Sequence, residues 1–392
     1  MTALPRRPIL DWPSFVGTRS AGMPSVADLP HKRMTTSGRA AIFQALRLAG
    51  LAPGTPVLVP TYHCPTMVAP AVLAGLRPVF YALDGKGLPV LDTISAGLAR
   101  EAGAILVPHL FGIVRSLAEV RQWCDRTDTL LIEDCAHAYY GMAGERPVGH
   151  WGDYATASLS KFLPVPEGGL LASAHRPVPP LGLLAQSPVA QVKGLFDVLH
   201  FATDHGRLKG LGLAVGAVVR SRQRQRTLPA AEGGATSVAA DDCATMLAEC
   251  DMARRNAAPL AVARLLRTAL PQRRAIEARR SNYAALAAGL PADADAHPLF
   301  PTLAAGTAPY AFPFWVHDAD RVYGELRAQG APVFRWDRIW PGTPALDGDH
   351  GQAWSRHLIQ ILCHQALSPA DIQWTIAETA RVLSTEPEEA HP

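Results

Sequence analysis

The chain has 392 residues, of which 48% are hydrophobic and 18% are charged, and its formal net charge is +3. This length allows two domains with a substantial core, and the composition is that of a globular protein rather than of a disordered chain. A net charge this small provides no extended positive field for capturing nucleic acid.

The cysteines and the N-terminus indicate the compartment. Six cysteines are spread along the chain without a CxxC pair, and the opening sequence MTALPRRPILDWPSF contains no apolar stretch of signal-peptide length. The longest uncharged apolar run, 210–219, is about half as long as a membrane span. We therefore expect a cytoplasmic protein without a membrane partner or a metal site. The arginines within 220–226 are interpreted as a solvated face rather than a binding patch.

The first half of the chain alternates between short apolar strands and helices. Residues 1–36 show no sustained period and are predicted to form a mostly irregular arm. Helices are predicted at 39–48, 67–75, 94–100 and 117–124, and strands at 56–60, 78–81, 104–107, 129–132, 154–159 and 170–172. This alternation is typical of a mostly parallel sheet covered on both faces, so the predicted fold class is α/β.

The second half is predicted to be a different layer structure. Residues 178–265 are helix-rich, but their pattern assigns no topology. From about residue 265 one long helix is predicted to run through Arg279, Arg280 and Tyr283. It is followed by a strand at 310–316, a helix at 321–329, a strand at 358–363 and a helix at 369–383. The predicted domains are therefore a large domain over 37–265 and a smaller C-terminal α+β domain over 266–392.

Two residues at predicted strand ends stand out, because ligands bind beyond the carboxyl ends of such strands. Asp134 follows a buried strand and could pair with a cofactor ring nitrogen or cap a neighbouring helix. Lys161 follows an uncharged run, 154–160, in a chain with only five lysines among 37 basic residues. Burial would lower the pKa of its amine and leave a neutral nucleophile for imine formation, unless the head group reaches solvent.

Two glycine-containing segments give weaker signals. Glu167-Gly168-Gly169 fits a tight turn that brings the backbone close to a ligand or to another strand. Ser37-Gly38 opens the first helix, whose free N–H groups could hold a phosphate, although Ser37 could equally be a simple N-cap. The order of all four features is more specific than any one of them.

This ordered set of motifs resembles the nucleotide-sugar aminotransferases of the DegT/DnrJ/StrS type, which are fold-type-I pyridoxal-phosphate (PLP) enzymes. The similar segments are 37–41 (SGTAAL in the family), 54–62 (GDEVIVP…TF), 107–112 (VHLYG), 132–137 (IEDAAQ), 149–153 (G..GD), and Lys161 with its EGG turn. The resemblance covers 37–172 well and 265–383 more weakly.

The resemblance implies a role for each matching position. Lys161 would hold PLP covalently and move the proton. Asp134 would bond the pyridine nitrogen, Tyr62 would stack on the ring, and His137 would face the ring or its O3′ atom. The phosphate would be held at Ser37, at the backbone N–H groups of Gly38 and Arg39, and by Ser158 or Thr156.

Some positions depart from the family pattern. Phe162 stands where asparagine is usual, Arg39 replaces a threonine, and Thr156 replaces a serine that contacts phosphate. The family's N-terminal substrate loop is absent. The missing loop concerns the sugar-binding side of the site, while Lys161 and Asp134, on which cofactor binding depends, are both in place.

The implied function is transfer of an amino group from glutamate to a keto-sugar nucleotide, in polysaccharide or amino-sugar biosynthesis. The resemblance also implies a homodimer with its sites at the subunit interface. Two alternatives stay open: an aminotransferase with a non-sugar acceptor, and a regulatory homologue that binds PLP without catalysis. A dehydratase is disfavoured, because the dehydratases of this family replace the lysine with histidine.

Overall fold

The computed structural model describes residues 3–18, 22–212 and 242–385. Its α-helices are α1 Gly38–Ala49, α2 Pro65–Leu73, α3 Ala96–Glu101, α4 Ala118–Thr127, α5 Pro188–Asp204, α6 Cys243–Glu249, α7 Ala261–Ala269, α8 Arg273–Gly289, α9 Ala319–Ala328, α10 Gly351–His357 and α11 Pro369–Ser384. Its strands are β1 His31–Thr35, β2 Pro56–Pro60, β3 Arg77–Tyr81, β4 Ala104–Pro108, β5 Leu130–Asp134, β6 Met142–Ala143, β7 Arg146–Pro147, β8 Tyr154–Ser158, β9 Gly169–Ser173, β10 Ala296–Pro298, β11 Ala311–Val316, β12 Val333–Phe334 and β13 Leu358–Leu362.

The larger sheet has seven strands in the order β1-β9-β8-β5-β4-β2-β3. The pairs from β3 through β2, β4 and β5 to β8 are parallel. Alternate residues of a strand point to opposite faces, and Leu58 and Val59 accordingly belong to separate core clusters. Both faces are therefore covered, which is why these strands read as continuous apolar runs. The predicted α/β fold class is confirmed.

Strand β9 runs antiparallel to β8 and to β1. The connection from β8 to β9 contains only a short 3₁₀ turn, Leu159–Lys161, whereas a parallel connection needs a crossover of about a dozen residues or more. The chain therefore turns back on itself immediately after the lysine, which keeps Lys161 at the sheet edge where β8 ends.

The N-terminal region differs from the prediction of a mostly irregular arm over 1–36. Strand β1 lies within that range and pairs with β9 along its whole length. Its sequence, HKRMT, has no apolar alternation, so the register comes from backbone pairing with β9. Farther upstream, the Leu4 N–H donates to the Gly330 carbonyl at 2.9 Å, which attaches the arm to the C-terminal part of the chain.

The smaller sheet is antiparallel, in the order β10-β11-β13-β12. The prediction of one long helix from residue 265 through Tyr283 is wrong, because the chain forms α7 and α8 with a break between them. Pro271 lies in the break, where it lacks an N–H for a helical hydrogen bond and disfavours helical geometry at Leu270. The predicted domain boundaries stay a prediction.

The arginine run within 220–226, and the apolar run from residue 213 onward, lie outside the described residues. Among the helices of the described ranges, none has the length and apolarity needed to cross a bilayer.

Candidate active site

The ends of β4, β5 and β8 and the start of α1 open onto one cavity of about 230 Å³. Parallel strands bring the residues that follow them to the same sheet edge, and this is why positions far apart in sequence meet here. The predicted site residues that line the cavity are Ser37, Gly38, Arg39, Asp134, His137, Ser158 and Lys161. Tyr62 and Thr156 lie outside this lining.

Lys161 is partly buried and ends the 3₁₀ turn after β8. Its Nζ lies 5.1 Å from the centroid of the Tyr310 ring. Desolvation by the surrounding protein lowers the pKa of the amine and Arg39 lowers it further, while Cys64 and Asp134 act in the opposite direction. The net downward shift favours the neutral amine, which is the nucleophilic form.

Asp134 ends β5 and is buried. Its Oδ1 accepts hydrogen bonds from the Ala136 N–H at 3.0 Å and from the Thr156 hydroxyl at 2.9 Å. Burial raises the pKa of the carboxyl, although Lys161 and these two donors act against the rise. Because both bonds go to Oδ1, the carboxyl is oriented with Oδ2 available to a ligand. Thr156 thus orients Asp134 rather than lining a phosphate site.

Tyr62 is fully buried, and its hydroxyl accepts a hydrogen bond from the Gln360 amide at 3.1 Å. Its ring lies 5.1 Å from that of Trp336. This position does not support the predicted stacking of Tyr62 on a ligand ring. Cys64, two residues farther on, lines the cavity instead.

His137 is held in one tautomer by its surroundings. Its Nδ1 accepts a hydrogen bond from the Phe111 N–H at 3.2 Å, so the proton of the neutral ring is on Nε2. Burial, followed by the charge of Lys161, lowers the pKa of His137 well below its usual value. The ring stacks on Tyr310 at 4.2 Å. The site therefore contains a neutral histidine that can donate through Nε2.

The first turn of α1 forms another wall of the cavity. Ser37 caps the helix by accepting from the Ala40 N–H at 3.2 Å, so the N-cap interpretation is confirmed. The N–H groups at the start of a helix have no intrahelical acceptor and favour an anion. The Arg39 side chain pairs with Asp251 at 2.7 Å, whereas its backbone stays at the helix start. The hydroxyl residues Ser158 and Ser160 line the cavity beside this turn.

The EGG turn does not line the cavity, and its last glycine allows neighbouring backbone segments to approach each other closely. A Cβ at Gly169 would overlap the carbonyl of Ser37, so glycine is needed where β9 passes beneath the start of α1. Glu167 accepts hydrogen bonds from the Leu260 N–H at 2.7 Å and from the Gln186 amide at 2.8 Å. Of the two interpretations of this turn, the approach of another strand is the one the structure supports.

Glu133 is a buried residue that the sequence motifs contained but to which we had assigned no role. Its Oε1 accepts from His109 Nε2 at 2.9 Å and from the Gly149 N–H at 2.7 Å. Its Oε2 accepts from the N–H groups of Trp151 at 2.9 Å and Gly152 at 3.1 Å. Glu133, His109 and Cys135 offer potential metal ligands. Since each Glu133 oxygen already accepts at least two hydrogen bonds, among them one from Cys135 Sγ to Oε1, we assign the cluster a structural role.

Trp336 and Tyr310 are site residues that sequence reasoning missed. Trp336 lines the cavity, and its ring lies 5.0 Å from that of His137. The Tyr310 ring lies 4.2 Å from that of His137 and 5.1 Å from the Lys161 amine. Both belong to the C-terminal part of the chain, and neither is marked by a local motif that predicts a site.

Comparisons with known proteins show which sequences and folds this chain is similar to. The model of the DegT/DnrJ/EryC1/StrS aminotransferase family matches residues 27–176. Over 146 residues the chain is 30% identical to GDP-perosamine synthase from Vibrio cholerae. The aligned region covers 36% of this chain and 40% of that protein. It is 31% identical over 149 residues to L-glutamine:2-deoxy-scyllo-inosose aminotransferase from Streptomyces kanamyceticus, covering 37% of this chain and 35% of that one. The matches thus span well under half of these relatives.

The fold similarity extends over nearly the whole chain. A putative sugar aminotransferase from Streptococcus pneumoniae, solved in its PMP form, superposes with a TM-score of 0.60 at 16% sequence identity. The superposition covers 91% of this chain and 88% of that one. At this identity the similarity establishes a shared fold.

Proposed function

We propose that the chain is a PLP-dependent aminotransferase, because residues 27–176 match the model of the DegT/DnrJ/EryC1/StrS aminotransferase family. The observation that carries the proposal is a single cavity lined by the Lys161 amine, the Asp134 carboxyl and the N-terminus of α1. An amine with a lowered pKa, a carboxylate with one oriented oxygen and an anion-binding helix start are the groups that PLP requires. When bound, the cofactor supplies the electron-withdrawing ring for amino transfer.

Each lining residue has a role in this proposal. Lys161 would attach the cofactor through its amine and would move the proton during transfer. Asp134 would face the ring nitrogen and keep it protonated, with Thr156 holding its carboxyl in place. His137 would donate from Nε2 to a cofactor oxygen. The phosphate would be held by the first N–H groups of α1, with help from Ser158.

The acceptor class rests on the relatives. The name GDP-perosamine synthase supports a nucleotide-linked sugar as the product class. We therefore propose a keto-sugar nucleotide as the acceptor and glutamate as the donor. The name L-glutamine:2-deoxy-scyllo-inosose aminotransferase supports a second candidate, in which glutamine is the donor and the acceptor carries no nucleotide. We also propose that the protein acts in the cytoplasm as a homodimer, with no nucleic-acid or membrane partner.

Borohydride reduction tests the cofactor and its anchor together. Purified protein incubated with PLP is reduced and digested, and the phosphopyridoxyl label is located by mass spectrometry. We expect the label on Lys161. The Lys161→Ala variant should lose it, while the matched variant at an exposed lysine, Lys193→Ala, should keep it. A label on another lysine, or none, refutes the proposal.

Half-reactions distinguish the substrates and exclude a mere binder of PLP. Glutamate or glutamine should convert the bound cofactor to its amine form, which is followed by absorbance. Keto-sugar nucleotides and 2-deoxy-scyllo-inosose are then added to the amine-loaded protein, and the acceptor that restores the original spectrum identifies the class. Failure of both donors would leave a binding protein rather than an enzyme.

A further inference from the structure

Arg279, on α8, is a fully buried cation that the proposed roles do not use. Its guanidinium donates to the Lys161 carbonyl at 2.6 Å, to the Pro309 carbonyl at 3.0 Å and to the Gln365 side-chain oxygen at 3.0 Å. It also lies over the Phe162 ring, 4.4 Å from the centroid. Within the described residues, every acceptor recorded for this cation is a neutral oxygen.

A buried guanidinium is costly unless its donors are satisfied, and an apolar side chain of similar size would avoid that cost. Burial lowers the pKa of Arg279, while Cys363, Tyr140 and Tyr310 act in the opposite direction. Arginine nevertheless keeps its charge, and its planar fork can bond several carbonyls at once. The geometry of those carbonyls therefore indicates what the residue does.

The two backbone carbonyls that Arg279 binds belong to Lys161 itself and to the segment that carries Tyr310. Pro309 directly precedes Tyr310, whose ring lies 5.1 Å from Lys161 Nζ. Gln365 extends the contact, because its amide donates to the Phe162 carbonyl at 2.7 Å. Arg279 and Gln365 thus bind the consecutive carbonyls of Lys161 and Phe162. Arg279 also binds the carbonyl of Pro309, next to Tyr310. Phe162 contributes a stacking surface for the cation.

We propose that Arg279 is a positioning residue for Lys161. Arg279 fixes the lysine turn and the Tyr310 ring, so that the amine stays in a part of the cavity wall that is shielded from water. The inference rests on the proposed function, because it concerns the readiness of Lys161 to take up the cofactor. Arg279 reaches from the C-terminal helices to the end of β8, so it makes the lysine geometry depend on how those helices pack.

The physical consequence is a change in the protonation of the amine. Lys161 owes its lowered pKa first to desolvation. The charged and titratable groups that face it are Asp134 from β5, Arg39 from α1, Cys64 before α2, His137 after β5 and Tyr310 before β11. Without the Arg279 contacts the turn loosens and water enters, so the pKa of the amine rises and less of it is neutral near pH 7.

The experiment measures how fast the cofactor attaches to the cofactor-free protein as a function of pH. Attachment forms a C=N bond between Lys161 Nζ and the aldehyde carbon and releases one water. We expect Arg279→Met to attach PLP about tenfold more slowly near neutral pH, with its pH midpoint shifted upward. Arg279→Lys should recover part of the rate. The matched control Arg280→Met also loses backbone contacts, to the carbonyls of Ala304 and Thr307, but should behave like the wild type.

The outcomes separate the two proposals. If the wild type never attaches PLP at Lys161, the proposed function fails. If the wild type attaches it and Arg279→Met has the same rate and midpoint, or if Arg280→Met shifts equally, the positioning role is overturned. Should circular dichroism show that Arg279→Met is unfolded, Gln365→Leu is measured in the same way. An unshifted midpoint there also overturns the inference.

Discussion

A substitution at Glu133 tests how much its buried hydrogen bonds contribute to the stability of the larger sheet. Glu133 is 0% exposed. Its Oε1 accepts from His109 and Gly149, and its Oε2 accepts from Trp151 and Gly152. In Glu133→Gln one oxygen becomes an NH₂ group of nearly the same size. At the Oε2 position the new NH₂ group would face two backbone N–H donors, whereas at the Oε1 position it would face the Gly149 N–H and His109, whose ring can change tautomer and accept. The substitution therefore loses one or two hydrogen bonds without any change in volume.

The expected loss of stability follows from these contacts. A buried donor left without an acceptor costs about 1–3 kcal/mol, and the lost bonds were to a charged acceptor. One or two such groups give a decrease of about 2–4 kcal/mol in the free energy of unfolding. The matched control is Glu145→Gln, whose exposed carboxylate accepts from the Ser116 hydroxyl at 3.2 Å. It should change the stability by less than about 0.5 kcal/mol.

The assay is urea unfolding followed by tryptophan fluorescence and circular dichroism, repeated at several pH values. Burial would raise the pKa of Glu133, but His109 and the N–H groups of Gly149 and Trp151 lower it overall. A lowered folded-state pKa stabilises the fold above the pKa of the unfolded carboxyl, about 4.3, and that contribution is lost as the pH falls through the folded-state value. The gap between wild type and Glu133→Gln should therefore narrow in acid. A gap below about 1 kcal/mol at neutral pH would refute this reasoning.

Three further predictions concern residues that line the cavity or contact its lining. Asp134→Asn should slow the glutamate half-reaction by about 100-fold or more while leaving the fold intact, because the charge opposite the ring nitrogen is lost. Stopped-flow absorbance measures this rate, and a rate within about threefold of that of the wild type would contradict the role of Asp134. Gly112→Ala should lower stability by about 3 kcal/mol in thermal unfolding, since φ is +83° and the new Cβ would overlap the His137 carbonyl; an unchanged Tm would contradict the geometry. Trp336→Ala should raise KM for the acceptor about tenfold with little effect on PLP attachment, and equal losses in both would place the ring against the cofactor instead.

The strands of the larger sheet could be predicted from local pattern alone. Short apolar runs between helix signals specify buried parallel strands, and β2 forms over the predicted residues, Pro56–Pro60. The hydrophobic pattern failed to predict a strand that is stabilised mainly by its backbone pairing with a neighbouring strand. Strand β1 has no apolar alternation and exists because β9 offers it a backbone partner. The break between α7 and α8 has a local cause in Pro271, which the prediction of one long helix did not take into account.

The candidate site divides in the same way. Lys161, Asp134 and Ser37 lie at positions that strand ends and a helix start predict, since both are local features of the chain. Tyr62 was predicted to face a ligand, but an aromatic side chain after a strand can point to the cavity or to the core. Only the packing around the Gln360 amide placed it in the core.

The sequence by itself determined which strand the lysine follows, which strand ends at the carboxyl residue, and which helix begins with the candidate phosphate-binding turn. These follow from residues adjacent in the chain. Only the tertiary structure decided what surrounds the amine, because Tyr310, Trp336 and Arg279 come from segments more than a hundred residues away from it. Their approach depends on how the C-terminal helices pack against the larger sheet, and no local pattern encodes that packing.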